Sequence, residues 1–315
     1  MTHKAKIGIL FILALIVIAI FLFIHIGDNW SYVLERRGWK VAAMVLTGAC
    51  IAFSTVIFQT ITNNRILTPN IIGLDSMYML AQTGVVYVFG SSTKLLVDNN
   101  LNFAFTLCLM VLFAGLLYKI MFRGEGNNIY YLLLIGIIMG TLLGSLTTFM
   151  QVLIDPNEFL VLQGRMFASY NKVQGQLTVI CTIVVILIAA YYSRFAKYMD
   201  VLSLGKGHAV NLGVDYNYVV KRLLIIIAAL ISVATALVGP ITFLGLLVAN
   251  VTYQFMKTYR HAYLIPASIL MSIVALVGGQ LIVERVFTFT TTVSVIVNLI
   301  GGVYFLYLLL RSNKS

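Results

Sequence analysis

Apolar stretches follow one another along the whole chain, and the charged residues fall in the gaps between them. A bilayer core about 30 Å thick is crossed by roughly 20 residues of helix, and only helices and closed barrels satisfy every backbone polar group inside it. The stretches here are continuous, without the two-residue alternation of barrel strands. They predict an all-α membrane protein of about ten transmembrane helices in a single domain. The expected spans are Ile7–Ile26, Val41–Ile61, Ile71–Phe89, Leu101–Phe122, Ile129–Ile154, Leu177–Tyr192, Val219–Val238, Ile241–Phe255, Tyr263–Val283 and Val293–Leu310. Asp75 and Gln82 interrupt the third, and the eighth is short and follows Gly239-Pro240.

The first run exceeds the apolar region of a signal peptide and lacks a small-x-small cleavage site before Asp28, so a retained first span is expected. Short cytoplasmic loops retain Lys and Arg. With ten spans and the amino terminus inside, Lys4, Lys6, Arg65, Lys119, Arg123, Arg194, Lys197, Lys206, Lys221, Arg222, Lys257, Arg260, Arg311 and Lys314 lie inside, 14 of the 21 basic residues. Both termini are therefore expected in the cytoplasm.

Composition narrows the function. At 61% hydrophobic and 10% charged residues, a soluble architecture is excluded. Positive-inside topology accounts for the net charge of +11, and no basic, aromatic-interleaved domain calls for nucleic acid. The longest polar interval, residues 193–218, is too short for a core of its own and has no P-loop pattern, so ATP chemistry has to come from another chain. Cys50, Cys108 and Cys181 are scattered through apolar stretches without metal-ligand spacing, which points to packing. No cluster of His, Asp and Glu suggests a catalytic site, and Asp75 is the one carboxylate well toward a span. A proton relay or an ion-coupled secondary transporter is thereby disfavoured.

Three segments stand out. In the cytoplasmic interval, Gly205 and Gly213 bracket a short amphipathic turn, with Leu204, Ala209 and Leu212 available to pack on something; a protein-docking element and a plain connecting loop both fit. Val238-Gly239-Pro240-Ile241, continuing to Gly245, breaks helix continuity at a membrane edge, as a hinge, a pore lining or a tight hairpin would. Arg36, Arg37 and Lys40 form an external basic cluster that runs against the topology rule, fitting either an acidic partner surface or snorkelling cations. The polar residues Gln59, Asp75, Gln82, Gln151, Gln280 and Asn298 lie in or near spans, where such groups face a bundle interior or a water-filled path.

Taken in order, these motifs resemble the FecCD-type permease subunits of iron-siderophore, haem and cobalamin ABC importers, from about Arg37 to Arg311. The residues that carry the resemblance are Gly48-Ala49, Gln59, Thr62, Asn64, Pro69, Ile71, Gly73 and Ser76; then Leu204-Gly205, Ala209 and Leu212-Gly213-Val214; then Gly239-Pro240-Ile241, Phe243 and Gly245; and finally Pro266-Ala267-Ser268 and Ile300-Gly301-Gly302. Thr62 to Pro69 and Gly73 to Ser76 look like the branch handling catecholate siderophores of the petrobactin type. Cobalamin or haem is the alternative cargo within the family.

The resemblance implies a multi-pass permease of the bacterial cytoplasmic membrane with the type II importer fold, a translocation path between two permease subunits, identical or paralogous, and no cofactor of its own. ATP and Mg would reside on cytoplasmic ABC ATPase subunits. Leu204, Gly205, Ala209, Leu212, Gly213 and Val214 would couple to the ATPase. Arg37, Lys40 and, in the last external loop, Arg285 would dock an extracytoplasmic substrate-binding protein loaded with ferric siderophore. Gln59, Asn64 and Ile66 would belong to the path and its cytoplasmic gate, and Gly239, Pro240 and Gly245 to a hinge. The chain departs from the family pattern at Trp39, Lys40, Lys206-Gly207, Val248-Ala249-Asn250 and Thr292. Lys40 lacks the bidentate fork that an arginine would bring.

Overall fold

A computed structural model describes residues 2–24, 29–121, 129–171, 173–289 and 291–312. Arg123 and Lys314 of the charge argument, and the span ends Ile26 and Phe122, lie outside the described residues. The helices are α1 (His3–Phe23), α2 (Trp30–Thr62), α3 (Leu74–Phe89), α4 (Lys94–Val97), α5 (Asn99–Met121), α6 (Ile129–Leu153), α7 (Pro156–Met166), α8 (Gly175–Tyr192), α9 (Met199–Leu202), α10 (Lys206–Asn211), α11 (Tyr216–Val238), α12 (Leu244–Met256), α13 (His261–Arg285) and α14 (Val293–Ser312). Two 3-10 turns, Pro69–Ile72 and Ala196–Tyr198, complete the described elements. Seven helices are long and apolar enough to cross a membrane: α1, α2, α5, α6, α8, α11 and α13. The short α12 and the apolar part of α14 add to these.

Burial sorts the helices into a centre and a periphery. From Ala43 to Thr62, α2 is buried along most of its circumference, and α11 is buried on most of its faces. The core forms where α2 packs against both α11 and α13, while α1, α6 and α8 turn apolar side chains such as Phe11, Ile137 and Leu187 outward. An apolar helix exposed on so much of its surface is suited to lipid or to another subunit, not to water. Many polar residues inside the spans find partners within the bundle, although among the described residues the hydroxyls of Ser54, Ser232 and Thr252 have none. The hydroxyls of Thr47, Thr55, Thr60, Thr62 and Thr147 each donate to the carbonyl four residues earlier at 2.7–2.8 Å. Gln82 and Asn102 exchange reciprocal 3.2 Å bonds between α3 and α5, with Thr106 as a third member at 2.9 Å.

The spans differ from the sequence pattern at their ends. The 33-residue α2 is far longer than the Val41–Ile61 run, because its first part carries Glu35, Arg36, Arg37 and Lys40, which an apolar count leaves out. The third span starts late: Pro69 opens a 3-10 turn, Gly73 takes a left-handed conformation, and α3 begins at Leu74. The polar interval Asp155 to Gln174 contains a short helix, α7, started by Pro156 and capped by the Asp155 carboxylate accepting from Asn157 N–H.

Candidate functional site

Three constellations gather the residues singled out in the sequence. Lys6 on α1 donates to the Phe255 carbonyl at 2.6 Å and so shares one end of the bundle with the end of α12, the end of α2 and the start of α13. The C-terminus of α1, the polar start of α2 and the end of α13 share the opposite end.

At the first of these ends, α2 stops in a knot. Asn63 adopts a left-handed conformation as the helix cap. The Arg65 carbonyl then accepts from Gln59 Nε2 at 2.7 Å and from Asn250 Nδ2 at 2.9 Å. Asn64 folds its side-chain oxygen onto the Ile66 N–H at 2.9 Å, and the Arg65 guanidinium lies 4.7 Å from the Tyr253 ring centre. Gln59, Asn64 and Ile66 thus share one compact turn, with Gln59 buried and the other two half-buried. Beside them a cavity of about 240 Å³ is bordered by Gln59, Thr60, Asn63, Arg65, Tyr253 and His261.

His261 carries a contact that sequence reasoning missed. Its Nδ1 lies 2.7 Å from Asp200 Oδ1, its backbone N–H donates to the same oxygen at 2.9 Å, and its Nε2 lies 2.7 Å from Thr60 Oγ1. Asp200 of α9 therefore caps the N-terminus of α13, whose own N-cap residue, Arg260, makes no side-chain cap bond. Partial burial pushes the Asp200 carboxyl up, but the hydrogen bonds and charge of His261 and the nearby Arg260 outweigh it and hold the group below the usual carboxylate range. The only sequence signal was a histidine opening a span, and its partners stand 61 and 201 positions away.

Immediately after α9 comes the segment predicted to couple. Gly205 and Gly213 have φ of +94° and +81°, a region that side chains other than glycine rarely occupy, and they bracket α10. The helix ends in a Schellman pair, Val214 N–H to the Ala209 carbonyl at 3.0 Å and Gly213 N–H to that of Val210 at 2.9 Å. Ala209 and Val214 face inward, whereas Leu204, Val210 and Leu212 are 57%, 50% and 63% exposed. The six expected residues are thus one structural unit with two roles: two glycines and two inward residues shape it, and two leucines are presented outward. Val210, missed in the sequence, joins the presented face.

Arg37, Lys40 and Arg285, which the resemblance assigned to docking, all make contacts within the chain. Arg37 Nη1 donates to the carbonyls of Phe21, Leu22 and Ile24 at 3.2, 3.0 and 2.7 Å, closing the C-terminal turn of α1. Lys40 is 8% exposed and bonds Glu284 at 3.0 Å and Asn171 at 2.9 Å. Arg285 donates to the Ile24 carbonyl at 3.1 Å but remains exposed. The physical reason is local: helix ends and a buried glutamate supply acceptors that a charge count does not reveal. Arg36 is exposed, and among the described residues nothing pairs with it. Arg36, Arg37 and Lys40 border a cavity of about 450 Å³ with Tyr32, Asn171 and Glu284.

The break at Gly239-Pro240 is confirmed as a break. Gly239 has φ of +101°, and a Cβ there would approach the Ala168 backbone at 3.1 Å. Gly245 is not part of it. It lies inside α12 against α2, where a Cβ would overlap Thr55 Oγ1, so close helix approach is what it permits. This break meets the other interruption of the array, at Pro69–Gly73. Asn70 Nδ2 donates to the Thr242 carbonyl at 3.2 Å, Thr242 Oγ1 to Asp75 at 3.4 Å, and Phe243 N–H to Asn298 Oδ1 at 3.3 Å. A cavity of about 350 Å³ opens there between α3, α6, the end of α7, the break and α14.

Among the described residues no group of three or more His, Cys, Asp or Glu comes together to hold a metal. The geometry therefore presents two breaks meeting at a polar cavity, a knotted end to α2, and an outward-facing loop unit coupled to the core through Asp200.

Comparison with known proteins places this arrangement. The chain is 59% identical over 315 residues, the whole of both chains, to the petrobactin import system permease protein YclO of Bacillus subtilis. It is 38% identical over 279 residues to the petrobactin import system permease protein FatC of Bacillus anthracis, covering 89% of this chain and 79% of that one. A solved metal-chelate-type ABC transporter in an inward-facing conformation superposes with a TM-score of 0.84 at 20% identity, covering 98% of this chain and all of the other, and so shares the fold. Residues 6–311 match the FecCD transport family, and the chain belongs to that family.

Proposed function

We propose that this chain is the permease subunit of an ATP-driven importer of ferric siderophores of the petrobactin class, and not an enzyme. The full-length 59% identity to a petrobactin import permease carries the reading, and the 38% relative supports it. The permease is a multi-pass protein of the bacterial cytoplasmic membrane with ten spans, α3, α12 and α14 joining the seven long apolar helices, and with both termini in the cytoplasm. The seat of Lys6 beside the end of α12 and of Arg65 at the end of α2 supports this orientation.

Partner and site assignments follow. ATPase subunits carrying ATP and Mg engage α10 and its flanks through Leu204, Val210 and Leu212. Their movement reaches the gate of Gln59, Asn64 and Ile66 because α10 follows α9, and Asp200 of α9 holds His261 and, through it, Thr60 on α2. The substrate-binding protein settles on the external end, with Arg36 and Arg285 as its exposed cations, while Arg37 and Lys40 keep α1, α2 and α13 in register beneath. The path lies between this permease and a second, identical or paralogous one. The Gly239-Pro240 break is the joint about which α12 shifts.

Uptake of radiolabelled ferric siderophore into cells lacking this chain tests the reading. A catecholate, a hydroxamate and cobalamin are compared, with rescue by wild type. Catecholate uptake alone should depend on the chain. Dependence of cobalamin uptake instead would give the permease the family's other cargo, and unchanged uptake of all three in cells without a redundant system would refute it.

A further inference from the structure

Asp75 is a carboxylate without a cation. It sits in the first turn of α3. Its described hydrogen-bond partner is the Thr242 hydroxyl at 3.4 Å, and no Lys, Arg or His lines the cavity it borders. Its other polar lining is hydroxyl and amide, from residues such as Ser76, Thr147, Gln151 and Asn298, and Met79, Met166 and Phe167 supply an apolar wall. Ionisable groups within membrane bundles are costly to keep and normally find an opposite charge. Glu284, by contrast, is paired with Lys40, and Asp200 meets the His261 ring. Asp75 therefore leaves acceptor capacity facing this cavity.

We propose that the Asp75 cavity is a transit subsite that recognises a protonated amine on the ferric chelate. This rests on the import reading above and adds the chemistry that the path selects. The cavity, about 350 Å³, suits an arm of a chelate rather than a whole one. An ammonium donates several N–H bonds at once, one set to Asp75 and the rest to the neutral oxygens of Thr147, Gln151 and Asn298. A chelate with the same iron-binding groups on an uncharged backbone has nothing to offer Asp75 and leaves it desolvated when it fills the space. One ion pair in a half-open cavity is weak enough to release the cargo, as a path requires. The site thereby discriminates in passing without becoming a trap.

The test compares two ferric catecholates in cells whose only permease is this chain or a variant, one chelate on a protonated polyamine backbone and one on a neutral backbone of similar size. Asp75→Asn, and Asp75→Ser as a second charge-removing change in case one fails to insert, are read against membrane abundance. Loss of one charge-assisted bond predicts that the ratio of amine-bearing to neutral uptake falls about tenfold, and that Asp75→Glu keeps it. An unchanged ratio, or a proportionate fall for both chelates, overturns the subsite and makes Asp75 a structural residue. A wild type that carries neither chelate sinks the import reading, and this inference with it.

Discussion

The two ends of the bundle treat their exposed-looking motifs in opposite ways. At the end where α1 finishes and α2 starts, Arg37 and Lys40 look in sequence like a docking patch, yet their donors are spent on helix-end carbonyls, Glu284 and Asn171. At the other end, Leu204 and Leu212, which the sequence left open between a docking element and a connecting loop, are presented outward together with Val210 by a unit shaped by its glycines, cap and inward residues. A surface charge pays for itself inside whenever an unsatisfied helix terminus is within reach. An exposed leucine on a capped, preformed turn has no such internal use, and so the free apolar face, not the conspicuous cation, is the better sign of a partner.

The contrast can be broken most forcefully at Glu284. Glu284→Ala leaves Lys40 buried without its counter-charge and should cost about 3–5 kcal/mol, seen as a large fall in the melting temperature of the purified protein. A docking role for Lys40 without a structural one predicts no such fall. Arg37→Met removes three bonds from the end of α1 and should cost roughly 2 kcal/mol, since each bond is partly buried and the carbonyls regain some water. Asp200→Ala takes the cap from α13 and should cost about 1 kcal/mol, with faster amide exchange at the start of that helix. The same contact carries a pH dependence. Asp200 is held below its ordinary value of 3.8, so its contribution is complete above that pH and is lost as the pH falls through the lowered value. Exchange at the His261 amide should quicken only in that acid range, and quickening near neutrality would contradict the assignment. Leu204→Ser with Leu212→Ser, at the other extreme, should alter stability by no more than about 0.5 kcal/mol, because neither side chain is covered.

The sequence made the helical membrane class legible because burial in lipid imposes a simple rule, long apolar runs, that needs no partner information. It also located the special turns at Gly205, Gly213 and Gly239, since glycine bracketing reports backbone conformation directly. What escaped were features set by distant partners. Lys40 meets Glu284 across 244 positions, and His261 joins Asp200 and Thr60 from two other helices. Gly245 beside Pro240 read as part of a hinge, although the close approach of α2 is what requires its missing side chain. The start of α3 was equally hidden, because the apolar run continues through a 3-10 turn that interrupts the helix without interrupting hydropathy.

The account turns on the presented face of the Leu204 to Val214 unit, and Leu204→Glu with Leu212→Glu tests it most directly. Uptake of ferric catecholate is measured per molecule of permease in the membrane, beside the melting temperature of each purified protein. Burying two added charges in a contact predicts at least a tenfold loss of uptake with unchanged abundance and melting temperature. Uptake at the wild-type rate would contradict the coupling role and leave the unit a connecting loop.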